Sequence, residues 1–139
     1  MRLTTYTDYA MRTLFFLATN PNRKVTVGEI AKFYDISQNH LVKVVQDLVK
    51  GQYIISSKGR GGGMVLAMPA SEINLGEVIK LTEPEMKLID CVGCTIVKTC
   101  KLPSPLKKAV AAFVEVLNQY SLQDIIKTGP ELDSLMNVA

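Results

Sequence analysis

Residues 26 to 51, TVGEIAKFYDISQNHLVKVVQDLVKG, constrain the fold more than any other stretch. Thr26-Val27-Gly28-Glu29 has the S/T-x-x-E form of a capping box, in which two side chains satisfy free backbone N–H groups at a helix start. Val27, Ile30, Ala31 and Tyr34 then recur at helical spacing as one apolar stripe. Only Asp35-Ile36 follows before Ser37, a second N-cap. Beyond it Leu41, Val44, Val45, Leu48 and Val49 form another stripe, which Gly51 is placed to end in a left-handed turn. Two short amphipathic helices joined so tightly predict a helix-turn-helix. At about 100° per residue, the face opposite the second stripe is Asn39, Lys43, Gln46 and Lys50, flanked by His40 and Asp47. That face carries no acid. Its amides and ammoniums are the groups that bond base edges and phosphates, whereas an ordinary solvated face mixes Glu with Lys.

The flanking segments extend the pattern. A first helix is predicted over Thr5 to Thr19, with Ala10, Leu14, Leu17 and Ala18 on one side and the breaker Asn20-Pro21-Asn22 after it. Past Gly51, YIISS and MVLAM read as two short strands around KGRGGG, a hairpin with a glycine-rich tip. A helix-turn-helix followed by such a hairpin is a winged helix, which sets Lys58 and Arg60 on the wing near phosphates or a minor groove. A phosphate loop is rejected because no Gly-Lys-Ser/Thr follows and the glycines feed a strand; Gly61, Gly62 and Gly63 serve either the turn itself or a close backbone approach to DNA.

Asn74 opens a further helix with Leu75, Val78 and Ile79 buried. From Glu83 to Ser104 periodicity fails, leaving a loop. Ser104-Pro105 then supplies an N-cap and a first-turn proline, and Leu106, Ala109, Val110, Phe113, Leu117 and Tyr120 make an apolar stripe suited to pairing with its copy. Ser121 caps one more short helix, Gly129-Pro130 ends it, and the tail frays. The predicted fold is mainly α with a small β-hairpin wing: a winged helix-turn-helix over 1–82, a cysteine-containing loop over 83–104, and a dimerisation helix and tail over 105–139.

The 139 residues suffice for one core with an appended element. No apolar run nears the roughly 20 residues of a membrane span, and MRLTTYTDYAMR has no signal-peptide character, so a cytoplasmic chain is expected. Residues 1 to 80 carry ten Lys and Arg against six Asp and Glu, whereas residues 81 to 139 carry six against seven. The basic half is the one that holds the helix-turn-helix, in keeping with a polyanion partner. No nucleophile or general-base constellation points to an enzyme.

All three cysteines, Cys91, Cys94 and Cys100, lie in the ten residues CVGCTIVKTC. In a reducing compartment, clustered cysteines serve as metal ligands or redox thiols. Zinc wants four ligands, and the only histidine, His40, lies on the second helix of the motif. A thiol switch needs a low-pKa cysteine, and Lys98 and Lys101 flank Cys100, but the third cysteine is then idle. An iron–sulfur cluster takes thiolates from short loops of this kind and tolerates a non-cysteine ligand, so it fits the spacing best, with the other two readings still open.

The opening LTTYTDYAMR, the segment SQNHLVKVV, GRGGGMVLA with the following MPAS, the cysteine loop and KAVAAFVEVLNQYSLQDI together resemble the NsrR/IscR group of iron–sulfur winged-helix transcription regulators, along nearly the whole chain. That resemblance implies a homodimeric repressor that binds double-stranded DNA at a pseudo-palindromic operator and responds to nitric oxide through loss or nitrosylation of its cluster. It implies metal ligation by Cys91, Cys94, Cys100 and, from the partner subunit, Asp8, the pattern of the NsrR branch; no histidine follows the third cysteine as in IscR. A [4Fe–4S] cluster is favoured and [2Fe–2S] is possible, because the Cys91–Cys94 gap is shorter than the group's pattern. At the DNA interface, base readout is expected from Gln38, Asn39, His40 and Lys43 with Ser37 beside them, and phosphate or minor-groove contacts from Arg2, Lys50, Lys58 and Arg60.

Overall fold

The computed structural model describes residues 1–126 and 129–136. Helix α1 spans Thr5–Thr19, α2 Val27–Tyr34 and α3 Gln38–Lys50; strands β1 (Ile54–Ser57) and β2 (Gly63–Leu66) follow, then a 3-10 turn at Ala70–Glu72, α4 (Leu75–Thr82), α5 (Pro103–Leu117), α6 (Leu122–Ile126) and α7 (Gly129–Met136). The predicted capping box is present in both directions: Thr26 accepts from the Glu29 N–H, and Glu29 from the Thr26 N–H at 2.7 Å. Ser37 caps α3 and Asn74 caps α4 in the same manner.

Helices α1, α2 and α3 enclose a core of Ala10, Leu14, Leu17, Ile30, Leu41, Val44 and Leu48, closed below by Ile54, Met64, Ile73 and Val78. Phe16 is fully buried in it, edge-on to Phe33 at 5.1 Å and to Tyr34 at 6.2 Å between ring centres. β1 and β2 form an antiparallel hairpin running from Ile54 opposite Leu66 to Ser57 opposite Gly63. Met64 also exchanges backbone bonds with Val25, at 3.0 and 2.7 Å, which ties the wing to the entrance of α2.

Three sequence expectations are corrected. Gly51 is right-handed, φ −73°; the left-handed residue is Gln52, φ 65°. Gln52 and Tyr53 donate back to Val49 and Leu48 in the paired bonds of a Schellman cap. A Cβ at 51 would stand 2.7 Å from Cδ2 of Leu81, the end of a partly exposed side chain that can turn aside, so the position is crowded but does not require glycine. Gly51→Ala is therefore expected to lower unfolding free energy by about 1 kcal/mol or less in urea titrations, and by less still when made in a Leu81→Ala background. A backbone-strain origin would leave the loss the same in that background.

The second correction concerns α5, which begins at Pro103, not at a Ser104 cap. Pro103 and Pro105 both sit in the first turn, where no N–H has an intrahelical acceptor, and Leu106 makes the first bond, to the Leu102 carbonyl. Third, Gly129-Pro130 opens a helix where termination and fraying were expected, and Leu132 of α7 packs on the core; residues 127–128 and 137–139 lie outside the described ones. Ser121 does cap α6, and Leu122, fully buried, bonds the Ile73 carbonyl at 2.8 Å.

Candidate nucleic-acid interface and cysteine loop

Burial of Leu41, Val44, Val45 and Leu48 turns the other side of α3 outward, so Gln38, Asn39, His40, Lys43, Gln46 and Lys50 are all exposed along one helix, with Ser37 at its cap. The Gln38 amide lies beside Gly28 at the first turn of α2, where an added Cβ would meet Oε1 at 3.7 Å, an ordinary van der Waals contact. Asp47 does not join the exposed row. The Tyr6 hydroxyl on α1 donates to its Oδ2, and its Oδ1 is 3.6 Å from the Lys50 ammonium.

On the wing, Lys58 and Arg60 are exposed at the tip. Gly59 and Gly61 adopt φ of 87° and 74°, and a Cβ on Gly62 would collide with the Ser57 carbonyl, so the turn itself demands these glycines. Sequence reasoning passed over Lys24, whose ammonium reaches Ser57 Oγ at 3.1 Å and adds a cation to the base of the wing. The Val25–Met64 pairing brings it there, and a single Val between two polar residues gave no strand period to reveal it. Arg2 lies apart from the α3 row in a groove it lines with Glu83, Met86 and Phe113.

That groove, about 470 Å³, separates the N-terminus from the Glu85–Leu88 segment and α5. Its floor is pinned by Glu83, which accepts from the Thr4 N–H at 2.6 Å and from the Thr4 and Thr7 hydroxyls at 2.7 Å each. Burial alone would raise the Glu83 pKa, but the hydrogen bonds from Thr7 and Thr4 outweigh it and hold the carboxyl below its usual range.

Between α4 and α5 the chain is a series of turns: Asp90 accepts from the Val92 N–H at 2.9 Å, Gly93 takes φ 74°, and Cys100 bonds the Ile96 carbonyl at 2.9 Å. Cys91 and Cys100 are half-buried, Cys94 is exposed, and all three are free thiols. Val92 and Ile96 stand out into solvent beside them. The donor set, three soft thiols on a loop with little packing of its own, fits an iron–sulfur cluster chemically. Among the described residues, however, no three His, Cys, Asp or Glu side chains gather closely enough to hold a metal ion. Asp8 lies exposed in the first turn of α1, paired with Arg12 at 2.9 Å, and the Arg12 guanidinium sits 5.3 Å above the Tyr34 ring.

Helix α5 is covered on one side only. Val114 is buried against α4, whereas Leu106, Val110, Phe113 and Leu117 are half-covered and Val116 and Tyr120 are exposed. Among the described residues no helix is long and apolar enough to cross a membrane.

Comparison with known proteins agrees with this architecture. The chain is 43% identical to the HTH-type transcriptional regulator NsrR of Bacillus licheniformis over 99% of this chain and all of that protein. It is 38% identical to the Bacillus subtilis NsrR over 99% of each. The solved structure of T. potens IscR superposes with a TM-score of 0.75 at 25% identity, covering 95% of this chain and 90% of that one. These relatives are regulators, not enzymes, and the Rrf2 family model, described as an iron-dependent transcriptional regulator, matches residues 3–128. This chain therefore belongs to the Rrf2 family of winged-helix transcriptional regulators.

Proposed function

We propose that this regulator is a homodimeric repressor whose hold on DNA depends on the state of its cysteine loop, with nitric oxide as the signal. The observation that carries the reading is the position of the three thiols. They occupy a loosely packed loop that joins the DNA-binding unit to a helix whose apolar stripe is half uncovered. A second copy laid along α5 covers that stripe, and two-fold symmetry then sets the recognition helices about 34–36 Å apart for a pseudo-palindromic operator.

Cys91, Cys94 and Cys100 would hold the cluster, with Asp8 of the partner subunit as fourth ligand. Bound there, an iron–sulfur cluster, [4Fe–4S] in preference to [2Fe–2S], supplies iron that reacts with nitric oxide. Asp8 then has two competing partners, the Arg12 guanidinium and the partner subunit's cysteine loop. Its choice fixes or frees the first turn of α1 against the loop. A bias of about 1.4 kcal/mol toward a non-binding dimer costs tenfold in apparent affinity once that dimer dominates.

Anaerobic purification followed by metal, sulfide and absorption analysis tests the cofactor. Iron and sulfide with visible absorption support the reading; zinc alone, or no metal with thiol-dependent DNA binding, favours the structural-zinc or thiol-switch alternative. For the DNA surface, Gln38, Asn39, His40 and Lys43 read bases with Ser37 beside them, while Arg2, Lys50, Lys58 and Arg60 contact phosphate or the minor groove. Lys58→Ala is expected to weaken binding to every sequence and to lower the slope of log affinity against log salt by about 1. A loss confined to the preferred sequence, measured by anisotropy across a salt series, would contradict the assignment.

A further inference from the structure

The recognition helix carries one acid within reach of its basic face. Asp47 follows Lys43 by four residues and precedes Lys50 by three, both spacings at which helical side chains meet. Left to itself, its carboxylate pairs with the cations of the exposed face and presents negative charge where phosphate oxygens approach. In this structure its Oδ2 is taken by the Tyr6 hydroxyl, which also lies 3.3 Å from the Lys43 carbonyl.

We propose that Tyr6 is a positioning residue that holds the Asp47 carboxylate away from Lys43, leaving that lysine free for DNA. The proposal rests on the reading of the exposed α3 face as the DNA-binding surface.

Three observations favour a built device over an incidental contact. Tyr6 cannot drift, because Thr4 and Thr7 on either side of it are both anchored to Glu83. Its hydroxyl keeps its proton to about pH 12, chiefly through burial and further through Asp47, so it donates to the carboxylate at every physiological pH. The remaining acceptor, Oδ1, faces Lys50 and not Lys43, so only one of the two cations on this helix shares its charge.

The test uses the full chain with Tyr6→Phe, Asp47→Asn and the double variant. Each is titrated against a duplex selected by the wild type from a random-sequence pool and against a random duplex of equal length. Tyr6→Phe keeps the ring and frees the acid, and it is expected to bind both duplexes about fivefold more weakly at low salt. Asp47→Asn is expected to bind at least as well as wild type, and the double variant to match Asp47→Asn. Unchanged binding by Tyr6→Phe, or a double variant as weak as Tyr6→Phe, overturns the proposal; the latter is what a purely structural role of the phenol produces. Lys43→Ala and Gln46→Ala serve as controls. If neither alters binding, the α3 surface reading falls and Tyr6 with it, whereas weakening by both with Tyr6→Phe unaffected overturns the Tyr6 role alone.

Discussion

Phe16→Ala is expected to lose about 3–5 kcal/mol of unfolding free energy, a large fraction of the roughly 5–15 kcal/mol a domain possesses. The ring has no solvent exposure and sits where α1 meets α2, edge-on to both Phe33 and Tyr34. Truncation removes its burial and both aromatic contacts, and it leaves a cavity between α1 and α2. Because Tyr34 is the last residue of α2, collapse into that cavity also disturbs the turn that aims α3. Circular dichroism in urea reads the loss as a lower midpoint at an unchanged slope. A change under 1 kcal/mol would mean that the aromatic cluster does not close the core as described.

The second large effect concerns the cysteine loop. Asp8→Ala and Cys100→Ser homodimers each lack one part of every proposed four-ligand site. A mixed dimer of one chain of each kind regains one complete site, formed by the cysteines of the Asp8→Ala chain and Asp8 of the other. Tagged and purified anaerobically, it is expected to hold roughly half the wild-type content of air-stable cluster, while the Cys100→Ser homodimer holds none. If Asp8 acted within its own chain, the mixed dimer would hold no complete site and would gain nothing over its parents.

Much of the fold was legible because its signals are local. The ends of α1, the capping box at Thr26 and Glu29, and the caps at Ser37 and Asn74 rest on residues three or four apart, and the structure reproduces them. What failed was decided from a distance. Gly51 looks like a left-handed stop, but it is right-handed and packs against Leu81, thirty residues on, while Gln52 takes the left-handed turn. Gly129-Pro130 reads equally as an end or a beginning, and the packing of Leu132 on the core selects the beginning. Phe16 fell outside the stripe of Ala10, Leu14, Leu17 and Ala18 because the aromatic partners that bury it come from α2.

The candidate site divides in the same way. The acid-free row on α3 follows from helical period alone, and the structure leaves it exposed. The engagement of Asp47 by Tyr6, forty-one residues earlier, is a pairing no sequence period displays. The cysteines narrow their chemistry by type and spacing to a cluster, zinc or a thiol switch, and the fourth ligand proposed on the partner subunit would leave no spacing to read.

Control of DNA binding by the loop is measured most directly by titrating one preparation in two states. Cluster-loaded protein, purified anaerobically, and the same sample after stoichiometric nitric oxide are each titrated against the selected duplex in an anaerobic gel shift at fixed salt. Tight binding by the loaded form, weakened at least about tenfold by nitric oxide, is the predicted result. Equal affinity in the two states would contradict it.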